Sequence, residues 1–206
     1  MIKNWKQLRV LVLISLSLFV SCVKESKHME EWTVQKRLDR GETVGKILES
    51  YQVHDIVGNT AEGGVIVDVN PEEKKGLVLY PQIIASEIVF GCNGSWVTTD
   101  RFSYTGSENT STLLNTCDSL AVAAYVCDTL NANGFSDWFL PAADDLEFVM
   151  NVIKNEGLML GEVGSKFWSS SVEYNQVYFW TISGTYYQSQ EKDSTANVVA
   201  LRMFTF

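Results

Sequence analysis

The sequence predicts an α+β domain, because its hydrophobic period changes twice along the chain. Residues 63–80 alternate with a period of two, two later stretches repeat with helical spacing, and from Phe167 to the C-terminus the chain is strand-like again. A strand pair, then helices, then strands is an α+β order. With 206 residues, 46% of them hydrophobic and 20% charged, the chain fits one globular domain with a substantial core.

The first 22 residues stand apart. Lys3, Lys6 and Arg9 precede an apolar run from Val10 to Val20 that ends at Ser21-Cys22, the layout of a secretory signal whose apolar part is short for a bilayer span. Phe19-Val20-Ser21-Cys22 resembles a bacterial lipobox, with Phe where Leu is usual. Cys22 would then be the lipid-modified first residue of an envelope lipoprotein, at the outer membrane or cell surface, and its lipid would be the contact with the membrane. An ordinary cleaved signal with a chance cysteine is the alternative. Residues 1–21 are thus a signal peptide and residues 22–31 a polar tether.

Val34, Leu38, Val44, Ile47 and Leu48 keep helical spacing, broken at Arg40-Gly41, which predicts two short helices in a lead-in over 32–57. GGVIVDVN at 63–70 and LVLYP at 77–81 read as a β-hairpin, with Asn70-Pro71 and Lys75-Gly76 in its turn. Residues 91–116, rich in Gly, Ser, Thr and Asn, read as a connection long enough to need pinning. A helix is expected from Asp118 to Leu130, with Leu120, Ala123, Ala124, Cys127 and Leu130 on one face and a stop at Asn133-Gly134. A second follows Leu140-Pro141, with Leu146, Val149, Met150 and Ile153 on one face. Asp144 and Asp145 would sit in its solvated first turn and Gly157 would end it. The remaining strands turn at Ser183-Gly184 and end in NVVALRMF, residues 197–204.

Past Cys22 the cysteines are Cys92, Cys117 and Cys127, an odd number that allows at most one intramolecular disulfide. On a helix starting near Asp118, Cys117 and Cys127 would stand about 15 Å apart, too far to bridge. Cys92 with Cys117 is the better pair, which leaves Cys127 as a small core residue.

GGVIVDVN, GLVLYP, Gly91-Cys92, the Cys127 helix, GFSDWFLP at 134–141, FWSSS at 167–171 and ALRMF at 200–204 occur here in one order. In that order they resemble the C-terminal domain family of the legionella collagen-like adhesin, once catalogued only as a domain of unknown function. The match covers roughly residues 58–206, and RLDRGET at 37–43 looks like the helical lead-in of its lipoprotein members. The resemblance implies a C-type-lectin-like fold with two helices and small antiparallel sheets, cell-surface display, and ligand binding rather than catalysis. The family's ending reads like VRAVRAF, so Val199 stands where its first arginine would be, and Arg202 keeps the second.

Trp138 and Leu140 are expected as core anchors, Asp137 as an acceptor for backbone groups in its turn, and Arg202 as part of the framework. Trp168 is expected in the core, with Ser169, Ser170 and Ser171 satisfying neighbouring backbone groups. Residues 167–190 hold four of the eight tyrosines and two of the six tryptophans, so this stretch must either pack or present. Strand alternation and the family's apolar pattern put Tyr178, Trp180 and Ile182 in the core. Tyr174, Gln176, Phe179, Tyr186, Tyr187 and Gln188 would then form an exposed binding face, since Tyr with small polar residues suits recognition. Covering a second core layer or a subunit interface is the alternative for the same residues.

The chain carries a formal charge of −9, and removing residues 1–21 takes away three basic and no acidic residues, giving −12. Such a domain repels nucleic acid. His28 and His54 both precede the matched region, which leaves a serine or cysteine nucleophile without a base. No C-x-x-C zinc spacing and no Glu-Pro-Asn or Gln-Pro-Asp calcium-dependent sugar motif is present. Asp144, Asp145 and Glu147 read as a helix start rather than a cation site, so no metal or cofactor is expected. The sequence thus points to a surface lipoprotein that binds a glycan or protein ligand through an aromatic C-terminal face. The second possibility is a structural subunit of a surface assembly with that face buried against a neighbour.

Overall fold

The computed structural model describes residues 33–158, 160–162, 164–182 and 188–206. The signal segment with Cys22, the tether, the Ser183-Gly184 turn, Tyr186 and Tyr187 lie outside the described residues. The fold is α+β.

The lead-in forms three short helices, α1 (Val34–Asp39), α2 (Val44–Ile47) and α3 (Val53–Ile56). Thr33 and Thr43 start the first two, each with its hydroxyl oxygen accepting a backbone N–H three residues on. Val34, Val44, Ile47 and Ile56 are buried in the same cluster as Val78, Trp138 and Trp168, so these helices share the core of the domain that follows.

The first sheet has the order β1 (Thr60–Ala61), β2 (Gly64–Asn70), β3 (Lys75–Leu79) and β9 (Leu201–Thr205), all antiparallel. The hairpin of β2 and β3 turns through residues 71–74, with the Asn70 side chain accepting the N–H groups of Glu72 and Glu73. The second sheet runs β4 (Ala85–Val89), β8 (Thr195–Val198), β5 (Lys166–Glu173), β6 (Gln176–Thr181) and β7 (Gln188–Glu191). Its β5 and β8 pair in parallel at Phe167 and Asn197; the other pairings are antiparallel.

NVVALRMF is therefore two strands rather than one. The chain leaves the second sheet after Val198 and enters the first at Leu201, where the N–H groups of Phe139 and Leu201 donate to each other's carbonyls at 2.8 and 3.0 Å. Both residues between the strands, Val199 and Ala200, are buried.

Three further helices are α4 (Gly106–Thr116), α5 (Val122–Asp128) and α6 (Asp145–Glu156), the last closed by Gly157 at φ 66°. Helix α4 occupies the second half of the stretch expected to be a loop. Its buried face is Gly106, Asn109, Thr110 and Leu113, a helical spacing written mostly in polar letters. Hydrogen bonds replace apolar contacts there. Asn109 accepts the Asp100 N–H at 3.1 Å and donates back to its carbonyl at 2.6 Å. Thr110 accepts the Leu140 N–H at 3.0 Å. A Cβ on Gly106 would meet the Phe139 ring at 2.8 Å, so this face needs glycine.

Helix α5 starts four residues later than expected. Residues 118–121 are held out of the helix, because the Leu120 carbonyl accepts the Cys92 N–H at 3.0 Å and the Asp118 N–H donates to the Ser95 hydroxyl at 2.7 Å. Leu120, expected on the buried face, is 55% exposed.

Apolar residues cluster on both faces of the second sheet. Val177 and Phe179 belong to the cluster of Trp168 and Phe90, whereas Trp180 belongs to that of Leu146, Phe167 and Leu201, with Ile182 packed against it. This corrects two assignments. Phe179, expected to be presented, is 2% exposed, while Tyr178, expected in the core, is half-buried. Alternation assumed one buried face, and a strand covered on both sides does not follow it.

Candidate functional site

The β5–β6 hairpin turns through Tyr174 and Asn175, between the paired residues Glu173 and Gln176. Tyr174 has φ 58°, a region that costs a residue with a Cβ about 1 kcal/mol or more. Tyr174 is 59% exposed. Trp96, 80% exposed, meets it edge to face, with ring centroids 6.0 Å apart and planes at 67°.

Trp96 faces outward because both its neighbours are tied inward. Ser95 is buried, its hydroxyl accepting the Asp118 N–H and its carbonyl accepting Lys192 Nζ at 2.7 Å. Val97, 2% exposed, fills the core. Two residues further, the Thr99 N–H donates to the Val172 carbonyl at 2.9 Å and its hydroxyl to the Ser170 carbonyl at 2.6 Å. The loop thus runs along the bulged part of β5 and sets Trp96 beside the hairpin tip. A disulfide joins Cys92 to Cys117, and Cys127 is a buried free thiol whose pKa is raised by burial.

Polar groups continue this surface. The Tyr178 hydroxyl donates to Glu173 at 2.9 Å, and that bond raises the phenol pKa, with the Arg101 charge acting in the opposite sense. Arg101 pairs with Asp144 at 3.4 Å, and its neighbour Phe102 is 64% exposed. Asn175 and Gln176 both donate side-chain N–H groups to Glu191, the second at 2.5 Å. The surface therefore combines exposed rings with carboxylates and amides that are already oriented.

Of the residues expected to bind, the structure places Tyr174 at the centre of this face and Gln176 at its edge. Phe179 is in the core, Tyr186 and Tyr187 lie outside the described residues, and Gln188 is described only as backbone paired with Phe179. Trp96 was missed; a lone Trp in the turn-rich GCNGSWV was its one signal.

The framework residues are accounted for. Trp138 and Trp168 are 2% and 0% exposed, with indole N–H groups donating to the Phe135 and Ile88 carbonyls. The buried Trp180 donates to the Ala143 carbonyl at 3.1 Å. Ser169, Ser170 and Ser171 are fully buried, donating to the carbonyls of Tyr178, Pro141 and Asp100. Asp137 accepts not turn backbone but Arg202 Nε, at 2.6 Å, and Arg202 also stacks 3.7 Å above the Phe135 ring.

Asp145 corrects the picture of a solvated helix start. It is fully buried, accepting the Tyr104 N–H at 2.8 Å and the Ala142 N–H at 3.0 Å. Burial pushes its pKa up to about 7, against those two bonds. Among the described residues no group of three His, Cys, Asp or Glu is placed to hold a metal ion. No helix among them is long and apolar enough to cross a membrane. A shallow polar cleft of about 260 Å³ lies away from the rings, between Glu87, Ser165, Lys166, Thr195 and Asn197. In comparisons with known proteins, no family model and no curated sequence matches the chain.

Proposed function

We propose that this chain is a surface-displayed lipoprotein, lipidated at Cys22, whose C-type-lectin-like domain binds a glycan or protein ligand through the face centred on Trp96 and Tyr174. The observation that carries this is the edge-to-face pair of Trp96, 80% exposed, and Tyr174, 59% exposed, the first on a loop tied inward by hydrogen bonds of Ser95 and Thr99 and the second in the tight turn between β5 and β6. A large exposed ring serves little purpose in a monomer's stability, and rigid aromatic anchors are what recognition surfaces use. The adhesin-family resemblance supports the same reading.

The surroundings favour a glycan. Two rings at 67° offer the apolar faces of a sugar two walls, while Glu173, Asn175 and Gln176 at the rim supply hydrogen-bonding groups for hydroxyls. The charge of −12 on the chain from Cys22 onward disfavours acidic sugars and directs the expectation to neutral ones.

Binding of the full chain in detergent to a glycan array, with Trp96→Ala and Tyr174→Ser beside it, tests this. Neutral glycans retained by the wild type and lost by both variants support it. A folded protein that binds no glycan, and whose self-association disappears in Trp96→Ala, would replace it with the assembly-subunit reading.

A further inference from the structure

Lys192 is 1% exposed, and among the described residues its ammonium meets no carboxylate. Its contacts are the Ser95 carbonyl at 2.7 Å, the Cys92 carbonyl at 3.3 Å and Cys92 Sγ at 4.0 Å. All of them belong to the short loop that leads into Trp96, and Cys92 is bonded to Cys117. An apolar residue of similar length would leave the Ser95 and Cys92 carbonyls without this donor, so Lys192 ties the loop rather than only filling space.

We infer that Lys192 and the Cys92–Cys117 disulfide form a redox-sensitive clasp that holds Trp96 against Tyr174, so that the recognition face exists in the oxidised protein and is released by a dithiol. This rests on the reading of that face as the binding site. The two sulfurs are not equivalent. Cys92 is fully buried and Cys117 partly exposed, so an incoming thiolate reaches Cys117 Sγ. A new S–S bond forms there, the Cys92–Cys117 bond breaks, and its electron pair leaves on Cys92 Sγ beside the Lys192 ammonium. A nearby cation lowers a thiol's pKa, and a less basic thiolate leaves faster. The dithiol's second sulfur then displaces Cys117 and closes the reductant into its own disulfide. Two electrons pass to the protein, and the dithiol's two protons end on the two cysteines. Freed from residue 117, the loop keeps its hydrogen bonds through the Cys92 N–H, Ser95 and Thr99 but loses its covalent tie at Cys92, and on this proposal Trp96 then leaves its partner ring.

The full chain in detergent, labelled with 5-fluorotryptophan, gives a fluorine NMR signal for Trp96 that Trp96→Phe assigns. On complete reduction with dithiothreitol, verified by thiol titration, that signal should move toward the position of free tryptophan while those of Trp138, Trp168 and Trp180 stay. Reoxidation should restore it. Lys192→Met should be reduced more slowly, because the leaving Cys92 thiolate then lacks the neighbouring cation and is more basic. A Trp96 signal unmoved after full reduction overturns the clasp, as does a joint shift of all tryptophans. Equal reduction rates with and without Lys192 remove the lysine from it. The fluorine readout needs no ligand, so a responsive Trp96 in a protein that binds no glycan leaves the clasp standing and sinks the binding site instead.

Discussion

Replacing Asp145 with Asn should abolish a fall in stability that the wild type shows between pH 4 and 7. Asp145 is fully buried where α6 begins, and its carboxyl is pushed from an ordinary 3.8 up to about 7 by desolvation. The folded chain therefore keeps the proton that the unfolded chain gives up. Below pH about 4 both states are protonated and the neutral carboxyl contributes in full. Between about 4 and 7 the unfolded chain ionises alone, so stability declines; above 7 it levels off. At about 1.4 kcal/mol per pH unit, this single group is worth about 4 kcal/mol. Glu42 acts in the opposite sense, since its hydrogen bond with Arg37 lowers its pKa and its contribution is lost on acidification. The quantity to follow is therefore the difference between wild type and Asp145→Asn, from denaturant unfolding at several pH values. That difference should fall by about 4 kcal/mol from pH 4 to pH 7.5 in the wild type's disfavour. A flat difference, or one that rises, would show that Asp145 ionises in the fold as readily as in water.

Other substitutions test the packing and the face separately. Phe179→Ala should cost about 3–5 kcal/mol in chemical denaturation, as a core ring does, and a cost under 1 kcal/mol would return Phe179 to the surface. Thr110→Val keeps the shape of α4 but leaves the buried Leu140 N–H without its acceptor, and should cost about 1–3 kcal/mol; a neutral change would mean the helix is held by Leu113 alone. Removing both cysteines of the Cys92–Cys117 pair, 25 residues apart in sequence, should cost about 3.5 kcal/mol by loop closure. Unchanged stability would refute the loop-closure account of the disulfide's contribution.

What could be read from the sequence depended on whether burial was written in apolar letters. The β2–β3 hairpin was legible because nearly unbroken Val, Ile and Leu runs, buried on both faces, flank its Asn70-Pro71 turn, and α6 because apolar residues mark its buried face at a period of 3.6 and Gly157 closes it. Helix α4 was not, because Asn109 and Thr110 occupy its buried face and are satisfied by hydrogen bonds. The reversal of Tyr178 and Phe179 came from a sheet with core on both sides. Asp137 and Arg202 were each visible in their motifs, but their pairing depends on β9 crossing to the first sheet at Val199-Ala200. At the candidate site Tyr174 was legible from composition. Trp96 was not, since its exposure follows from Ser95 and Val97 being drawn inward.

The most direct test of the central claim is the ratio of dissociation constants for the strongest neutral glycan on the array, measured by calorimetry on wild type and Trp96→Ala at matched stability. Trp96 is 80% exposed, so its removal should leave unfolding free energy within about 0.5 kcal/mol. Loss of an anchoring ring should weaken binding by about 30-fold or more, the ratio for about 2 kcal/mol. Equal affinities in the two proteins would contradict the account and move the site away from Trp96 and Tyr174.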